Sequence, residues 1–490
     1  MKNFAVSLAV AATLLSSFVV AQDGTPTIVQ GGANPYTCDP TKCIAPKCLC
    51  ASQSPPGGIK PADAPQFVTI TFDDSVQPEL IQTAADLLNV QNPNGCKAKG
   101  SWYVSMMYTD FALVQQWFAE GNEVADHTFT HVGTPSAQEI QAAADMLYSY
   151  AGVPHGMLKG FRAPFLNYTA DTLKEIQAQG FLYDTSATAV VDDNYWPYTL
   201  DNGMANDCWT GICNPGTVNL PGVWEVPMYA VLDNASVPQL MDVYLSGTPE
   251  DVTNWSQTNF DRHYNGNRQP FGIYVHPTHL TNYPGLPDAT AQKAGVVNFI
   301  QSLAGKPDVW FVTNDQLLQW MQNPVPASQL ANQTYMQCQK PVTPKEICNG
   351  LETLNITSGV VSGPLLNACN FNTSNFATCY NCPGSAPTLE TPVPASAVAN
   401  GTSGYRTPLP DNCSPFWWDP VAGQCLCTTS SCAYQDTALP KQQNSTNGTS
   451  SGSSNGSSAS SSGKASGASP GPVVASTLSI AAAIFISLIM

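Results

Sequence analysis

Residues 66–324 predict an α/β fold, a closed or nearly closed parallel barrel, on three observations. Short apolar runs recur along this stretch: FVTITF, GSWYVS, NEVADH, GFRAPF, FLYDTSA, WEVPMYAV, FGIYVHP and DVWFVTN. Between several of them lie amphipathic segments, such as PELIQTAADLLNV and SAQEIQAAADMLYSYAG, with Pro, Ser or Thr near the start and Gly near the end. About seven or eight strand–helix repeats in one domain are what a barrel of parallel strands uses. A doubly wound open sheet fits the same periodicity, which does not report closure.

The flanks divide by composition. Residues 1–21, MKNFAVSLAVAATLLSSFVVA, have one Lys, an apolar run and small residues at 19 and 21, the pattern of a secretory signal peptide. The segment 38–58 opens with the compact Cys cluster CDPTKCIAPKCLC. Residues 325–438 are again rich in Cys and poor in periodicity, which predicts small disulfide-held structure. Within them SPFWW, at 414–418, is an aromatic cluster suited to stacking on sugar rings or to filling a small core. Residues 440–471 form a Ser/Gly-rich stalk too polar to bury a core. The apolar tail 472–490 follows, and a polar spacer before such a tail is the pattern of a GPI-attachment signal, with Gly463 as the expected attachment site and a tail-anchored helix as the alternative.

Sixteen Cys in a chain entering an oxidising compartment are expected to be paired. N-x-S/T sites at Asn167, Asn234, Asn254, Asn332, Asn355, Asn372 and Asn400 fit an extracytoplasmic protein. The formal charge of −17 disfavours nucleic acid and anionic lipid surfaces as partners, so any membrane link is expected through the GPI lipid, at the outer face of the plasma membrane or the wall.

In a parallel barrel, reactive groups collect where strands end and loops begin. Those positions hold Asp73, Asp74, His127, Arg162, Asp184 and His276. Neighbouring residues of a strand point to opposite faces, so Asp73 and Asp74 can serve one site only where the strand breaks, and Ser75 and Pro78 supply the break. Either acid also suits a helix N-cap. His127 and His131 are four apart, which would place both rings on one face of a helical turn. Two His and one carboxylate leave positions open on a zinc ion for water and substrate.

TFDDS, HTFTH, FRAPF, DTSATAVVDDNYWPYTLD and FGIYVHPTHL, in that order, resemble the five motifs of the polysaccharide deacetylases, carbohydrate esterase family four, and of the chitin deacetylases among them. The connecting segments CIAPKCLCASQSPPGG, NPNGC, WEVPMY and DVWFVTNDQLLQWMQNP are similar too. The resemblance implies a distorted (β/α) barrel, with zinc, or cobalt in its place, held by Asp74, His127 and His131. It implies Asp73 as the general base, Arg162 as its partner, His276 as the acid for the leaving amine, and the backbone N–H near Phe165 as an oxyanion donor. The substrate implied is chitin or a related N-acetylglucosamine polymer; an O-acetylated polysaccharide, or wall binding with little turnover, are the alternatives. Three features depart from the pattern: Ser75 stands where Gly or Ala is usual, Pro277 follows His276 with His279 as an alternative acid, and the fourth motif is loose. In that motif Asp184 or Asp193 is a candidate to tune Arg162 and Trp196 to line the groove, the alternative being that all three are structural.

Overall fold

The computed structural model describes residues 34–233, 235–243, 247–338 and 367–402, with short stretches between 354 and 425. The expected signal peptide, stalk, Gly463 and apolar tail lie outside them, as do Asn234, the side chain of Asn355 and most of SPFWW. In chain order the elements that build the core are β1 (Gln66–Asp73), α1 (Pro78–Leu87), β2 (Ser101–Val104), α2 (Phe111–Ala119), β3 (Glu123–Asp126) and α3 (Ala137–Ala151). They continue with β4 (Gly160–Phe161), α4 (Ala170–Ala178), β5 (Tyr183–Asp184), β6 (Thr188–Ala189), β7 (Tyr198–Leu200), β8 (Leu220–Glu225) and β9 (Met228–Tyr229). Last come β10 (Val231–Leu232), β11 (Pro238–Gln239), α5 (Pro249–Tyr264), β12 (Phe271–Val275), α6 (Thr290–Leu303), β13 (Val309–Val312) and α7 (Asn314–Gln322).

The main sheet runs β12-β1-β2-β3-β4-β5-β8-β7, with β13 also paired to β1. Every pairing in it is parallel except β7 with β8. All eight residues of β1 are buried, as expected of a parallel strand covered on both faces. Alternation sorts them. Val68, Ile70 and Phe72 join the large cluster shared with the helices, whereas Phe67 joins an interior cluster with Tyr103, Tyr183, Trp224 and Trp310. The interior face therefore carries Thr69, Thr71 and Asp73 in line with Phe67.

The hydrogen-bonded path does not close from β7 back to β12. An irregular segment lies along the free side of β12 instead, where the Asp242 N–H donates to the Tyr274 carbonyl at 3.1 Å. The β7 edge is covered as well: Leu49, from the Cys segment held by Cys38–Cys50 and Cys43–Cys48, exchanges hydrogen bonds with Thr199. Two interior glycines are demanded by close approach. A Cβ on Gly160 would meet the Tyr183 hydroxyl at 2.2 Å, and one on Gly272 would meet the Tyr274 ring at 1.9 Å.

A disulfide, Cys96–Cys338, ties the loop before β2 to the chain that leaves α7. In the C-terminal region the strands Asn367–Asn370 and Asn375–Thr378 pair as a hairpin, cross-linked by Cys369–Cys382. The hairpin packs on α2 and α3: Phe376 is 4% exposed, with its ring 5.6 Å from that of Phe111 and 5.0 Å from that of Tyr150. Its backbone also holds the loop after β2, where Tyr108 donates to Asn375 and Ala377 donates to Thr109. Phe376→Ala is expected to cost about 3–5 kcal/mol by chemical denaturation, because the cavity opens inside the core itself. A loss under 1 kcal/mol would mean that the hairpin is an appendage.

Candidate active site

At the C-terminal end of β1 the chain stops being a strand at Asp74, whose φ of 78° turns its side chain out of the alternation. The break is held from both sides. Asp74 donates its N–H to the Tyr103 carbonyl, and its own carbonyl accepts from the Trp102 indole at 2.9 Å. Ser75 is buried, its hydroxyl bonded by the Gln77 amide, and Val76 donates to Thr109. Asp73 thus keeps the interior direction while Asp74 faces the rim.

The two imidazoles reach the same rim by a different route from the one spacing suggests. Residues 127–131 are an irregular loop, with Thr128 at φ 67° and His131 at φ 56°, and the predicted helical turn does not form. Buried carboxylates shape that loop. Asp126 accepts from the Thr128 N–H, and Glu139, on α3, accepts from both the N–H and the hydroxyl of Thr130. Burial raises the Asp126 carboxyl well above the ordinary range. The result brings the His127 and His131 rings to 5.0 Å between centroids.

His127 Nδ1 lies 2.8 Å from the Arg162 carbonyl, an acceptor only, so that nitrogen carries the proton and Nε2 keeps a free lone pair. Burial lowers His127 to about 4, so the ring is neutral at ordinary pH. His131 Nε2 lies 3.0 Å and His127 Nε2 3.7 Å from the same atom, Asp74 Oδ1. That oxygen is buried and has no well-aligned hydrogen-bond donor. A buried orphan oxygen facing two imidazole nitrogens fits a divalent cation, and the N₂O donor set suits zinc or cobalt. The carbonyl behind His127 is the outer support such a ligand requires. Burial pushes the Asp74 carboxyl up, yet the His131 contact and the charge of His276 hold it well below the carboxylate range.

Beside this triad Asp73 is 1% exposed, with Oδ2 3.8 Å from His127 Nε2. Its Oδ1 accepts from Arg162 Nη1 at 2.5 Å. Arg162 is wholly buried: Nε donates to the Thr185 carbonyl, Nη1 also to Thr71 Oγ1, and Cζ lies 4.0 Å from the centre of the Tyr103 ring. Burial opposes the Arg162 charge and the neighbouring Asp73 restores it, so the buried guanidinium keeps its charge. On the far side His276 Nε2 approaches Asp74 Oδ2 to 3.9 Å. The Phe165 backbone sits in a left-handed turn, φ 58°, and its N–H has no acceptor among the described residues. The Phe165 ring is 61% exposed and lies 4.8 Å from that of His131.

A family model described as polysaccharide deacetylase matches residues 60–183, the stretch from before β1 to β5 that carries Asp73, Asp74, His127, His131 and Arg162. The chain is 32% identical over 376 residues to chitin deacetylase 8 of Bombyx mori, covering 73% of this chain and 93% of that one. The chain belongs to the polysaccharide deacetylase family. Chitin deacetylase 1 of the same moth is 30% identical over 382 residues, 72% of this chain and 68% of the relative. Among solved structures, a probable polysaccharide deacetylase from Pseudomonas aeruginosa aligns at 14% identity and a TM-score of 0.34, covering 54% of this chain and 93% of the other. The chitin deacetylase of Colletotrichum lindemuthianum aligns at 11% and 0.29, covering 52% and 90%. The protein is thus a hydrolytic deacetylase by family.

For this polysaccharide deacetylase the three residues singled out in the fourth motif occupy largely structural places, one of the two roles open to them. Tyr183 points into the interior, so Asp184 falls on the opposite face of β5, where its carboxylate accepts from Ser186; it makes no hydrogen bond to Arg162 but remains within reach of its charge. Asp193 accepts from the Val190 N–H and closes a local turn. Trp196 is 1% exposed, its ring 5.3 Å from that of Trp320 and its indole bonded to the Asn267 carbonyl: it fills the core and lines no groove.

The residue that the sequence reading missed is Asp242. Its Oδ1 accepts the His276 backbone N–H at 2.8 Å and its Oδ2 lies 2.5 Å from His276 Nδ1. Burial alone would lower His276, but the Asp242 carboxylate raises it to about 10, and the His276 cation in turn holds Asp242 down at about 2. His279 Nδ1 lies 3.0 Å from the same Oδ2. His276 Nε2 approaches Asp74, whereas among the described residues His279 has no such ion-pair contact with the triad, so the geometry favours His276 as the donor. Asp242 has φ 53° in a stretch without strand or helix periodicity, and no spacing rule points to it.

Proposed function

We propose that the protein is a metal-dependent hydrolase that removes N-acetyl groups from an N-acetylglucosamine polymer of the chitin type, releasing acetate and leaving glucosamine units. The observation that carries this reading is the convergence of Asp74 Oδ1 with the free nitrogens of His127 and His131 beside a buried, arginine-held Asp73. The similarity to two moth chitin deacetylases supports the polymer.

Asp74, His127 and His131 would hold the ion, zinc or cobalt, which supplies Lewis acidity and lowers the pKa of water at the open positions. Asp73 receives the proton of the attacking water, and Arg162 fixes which oxygen of Asp73 remains free to do so. The Phe165 N–H donates to the carbonyl oxygen as it gains charge. His276, held protonated by Asp242, gives its Nε2 proton to the leaving sugar amine. The carboxylate on one flank and the imidazolium on the other divide base and acid between them.

The N-terminal signal pattern and the Gly463 region support secretion and a GPI link at the outer membrane face or wall. Asn167, Asn254, Asn332, Asn372 and Asn400 are exposed, as glycan carriers must be. Asn167 packs on Gly133, next to the His131 loop, so a glycan there would narrow the approach to the site. Acetate release from chitin oligomers, compared with that from acetylated xylan, tests the substrate. Faster release from the chitin oligomers is expected; turnover of xylan alone would replace the amide reading with an ester one.

A further inference from the structure

We propose that Asp242, His276 and His279 form a second divalent-cation site, filled by zinc only in excess of the ion at Asp74, His127 and His131. The inference rests on the reading of that first triad as a metal site and extends it to a neighbour with the same chemistry.

Both Nδ1 atoms converge on one carboxylate oxygen, Asp242 Oδ2, from 2.5 Å for His276 and 3.0 Å for His279. Their rings lie 5.5 Å apart, and one potential ligand atom from each residue falls within 4.8 Å of the others. The pairing is unequal. His276 makes a good hydrogen bond, whereas His279 Nδ1 is shielded from water and has no aligned partner. Asp242 Oδ2 has lone pairs for both rings, but the 3.0 Å approach of His279 is poorly aligned, so the second leg of the cluster is the weaker one. A cation seated among the three atoms would engage all of them.

Local backbone holds the pair in place. The four-residue segment Pro277–Leu280 is a 3₁₀ turn, and the His279 N–H donates to the His276 carbonyl at 2.9 Å. Residues three apart eclipse in that geometry, which puts both rings on the same side. The donor set, two imidazoles and a carboxylate, repeats that of the first triad. The side chains of His276 and His279 are 24% and 32% exposed, so an ion can enter without unfolding.

Each imidazole binds metal only through a nitrogen that has lost its proton. Filling the site breaks the 2.5 Å hydrogen bond between His276 and Asp242, whereas the first triad already offers an oxygen with no aligned donor, so the second ion binds more weakly than the first. It also deprives the His276 imidazolium of its carboxylate partner, so zinc beyond one equivalent is expected to slow turnover.

The test is calorimetric titration of metal-stripped protein with zinc, with bound metal counted by mass spectrometry. Two equivalents are expected, a tight one and a weaker one. His279→Ala and His279→Gln should each remove the weaker equivalent alone, and His131→Ala the tighter one alone. A single equivalent that is lost with His131→Ala overturns the second site and leaves the deacetylase reading standing. A second equivalent that survives both His279 variants overturns the assignment, whereas no equivalent sensitive to His131→Ala overturns the reading of the first site.

Discussion

Asp73→Asn is expected to lower kcat for acetate release by roughly 10²–10⁴-fold, the range that removal of a positioned general base produces. Asparagine keeps the size and the acceptor oxygen but cannot take a proton from water. The substitution has a second effect that must be separated from the first. Arg162 is wholly buried, and Asp73 is the carboxylate in contact with its guanidinium. Neutralising that partner strands a cation in the interior, at a cost of about 3–5 kcal/mol. Activity should therefore be measured well below the variant's own unfolding midpoint, with metal content checked. A variant that is folded, loaded and still within tenfold of the parent rate would remove Asp73 from the role of base.

His276→Gln is expected to cost a similar factor, on the order of 10²–10⁴ in kcat, through loss of the proton given to the leaving amine. Asp242→Asn is the more discriminating change. With Asp242 ionised, His276 keeps its proton up to about pH 10. Without it, burial lowers the ring against only the more distant Asp74 and Asp73 charges, and the alkaline limb of the rate profile should move down towards the ordinary histidine value of 6.5. Stability follows the same linkage. The raised His276 contributes fully below pH 6.5 and loses its contribution as pH rises through about 10. The depressed Asp242 contributes above its ordinary 3.8 and loses its contribution as pH falls through about 2. An Asp242→Asn profile with an unmoved alkaline limb would mean that another group is the acid.

Much of this was legible in the sequence because it depends on local rules. The run FVTITF, 67–72, reads as a strand of a parallel barrel and lies within β1; the division of Asp73 from Asp74 follows from alternation and a broken strand end, and the structure places the break at a positive φ. The helices α1, α2, α3 and α4 follow their apolar periodicity and their Pro, Ser or Thr starts. What was not legible depends on the tertiary fold. The spacing of His127 and His131 suggests a helical turn, but Asp126 and Glu139 pull the loop into another shape. Trp196 resembles a groove residue by motif and is claimed by the core beside Trp320. Asp242 arrives beside His276 on a loop of no periodicity, held there by the free edge of β12. Only the closing of the fold brings an acid 34 residues away onto a histidine.

The most direct measurement is acetate release from N-acetylglucosamine oligomers before and after complete removal of divalent metal, followed by readdition of zinc. Activity should disappear with the metal and return with one tightly bound equivalent, and His131→Ala should fail to recover. Undiminished release from protein shown to be free of metal would contradict the reading of Asp74, His127 and His131 as the catalytic metal site.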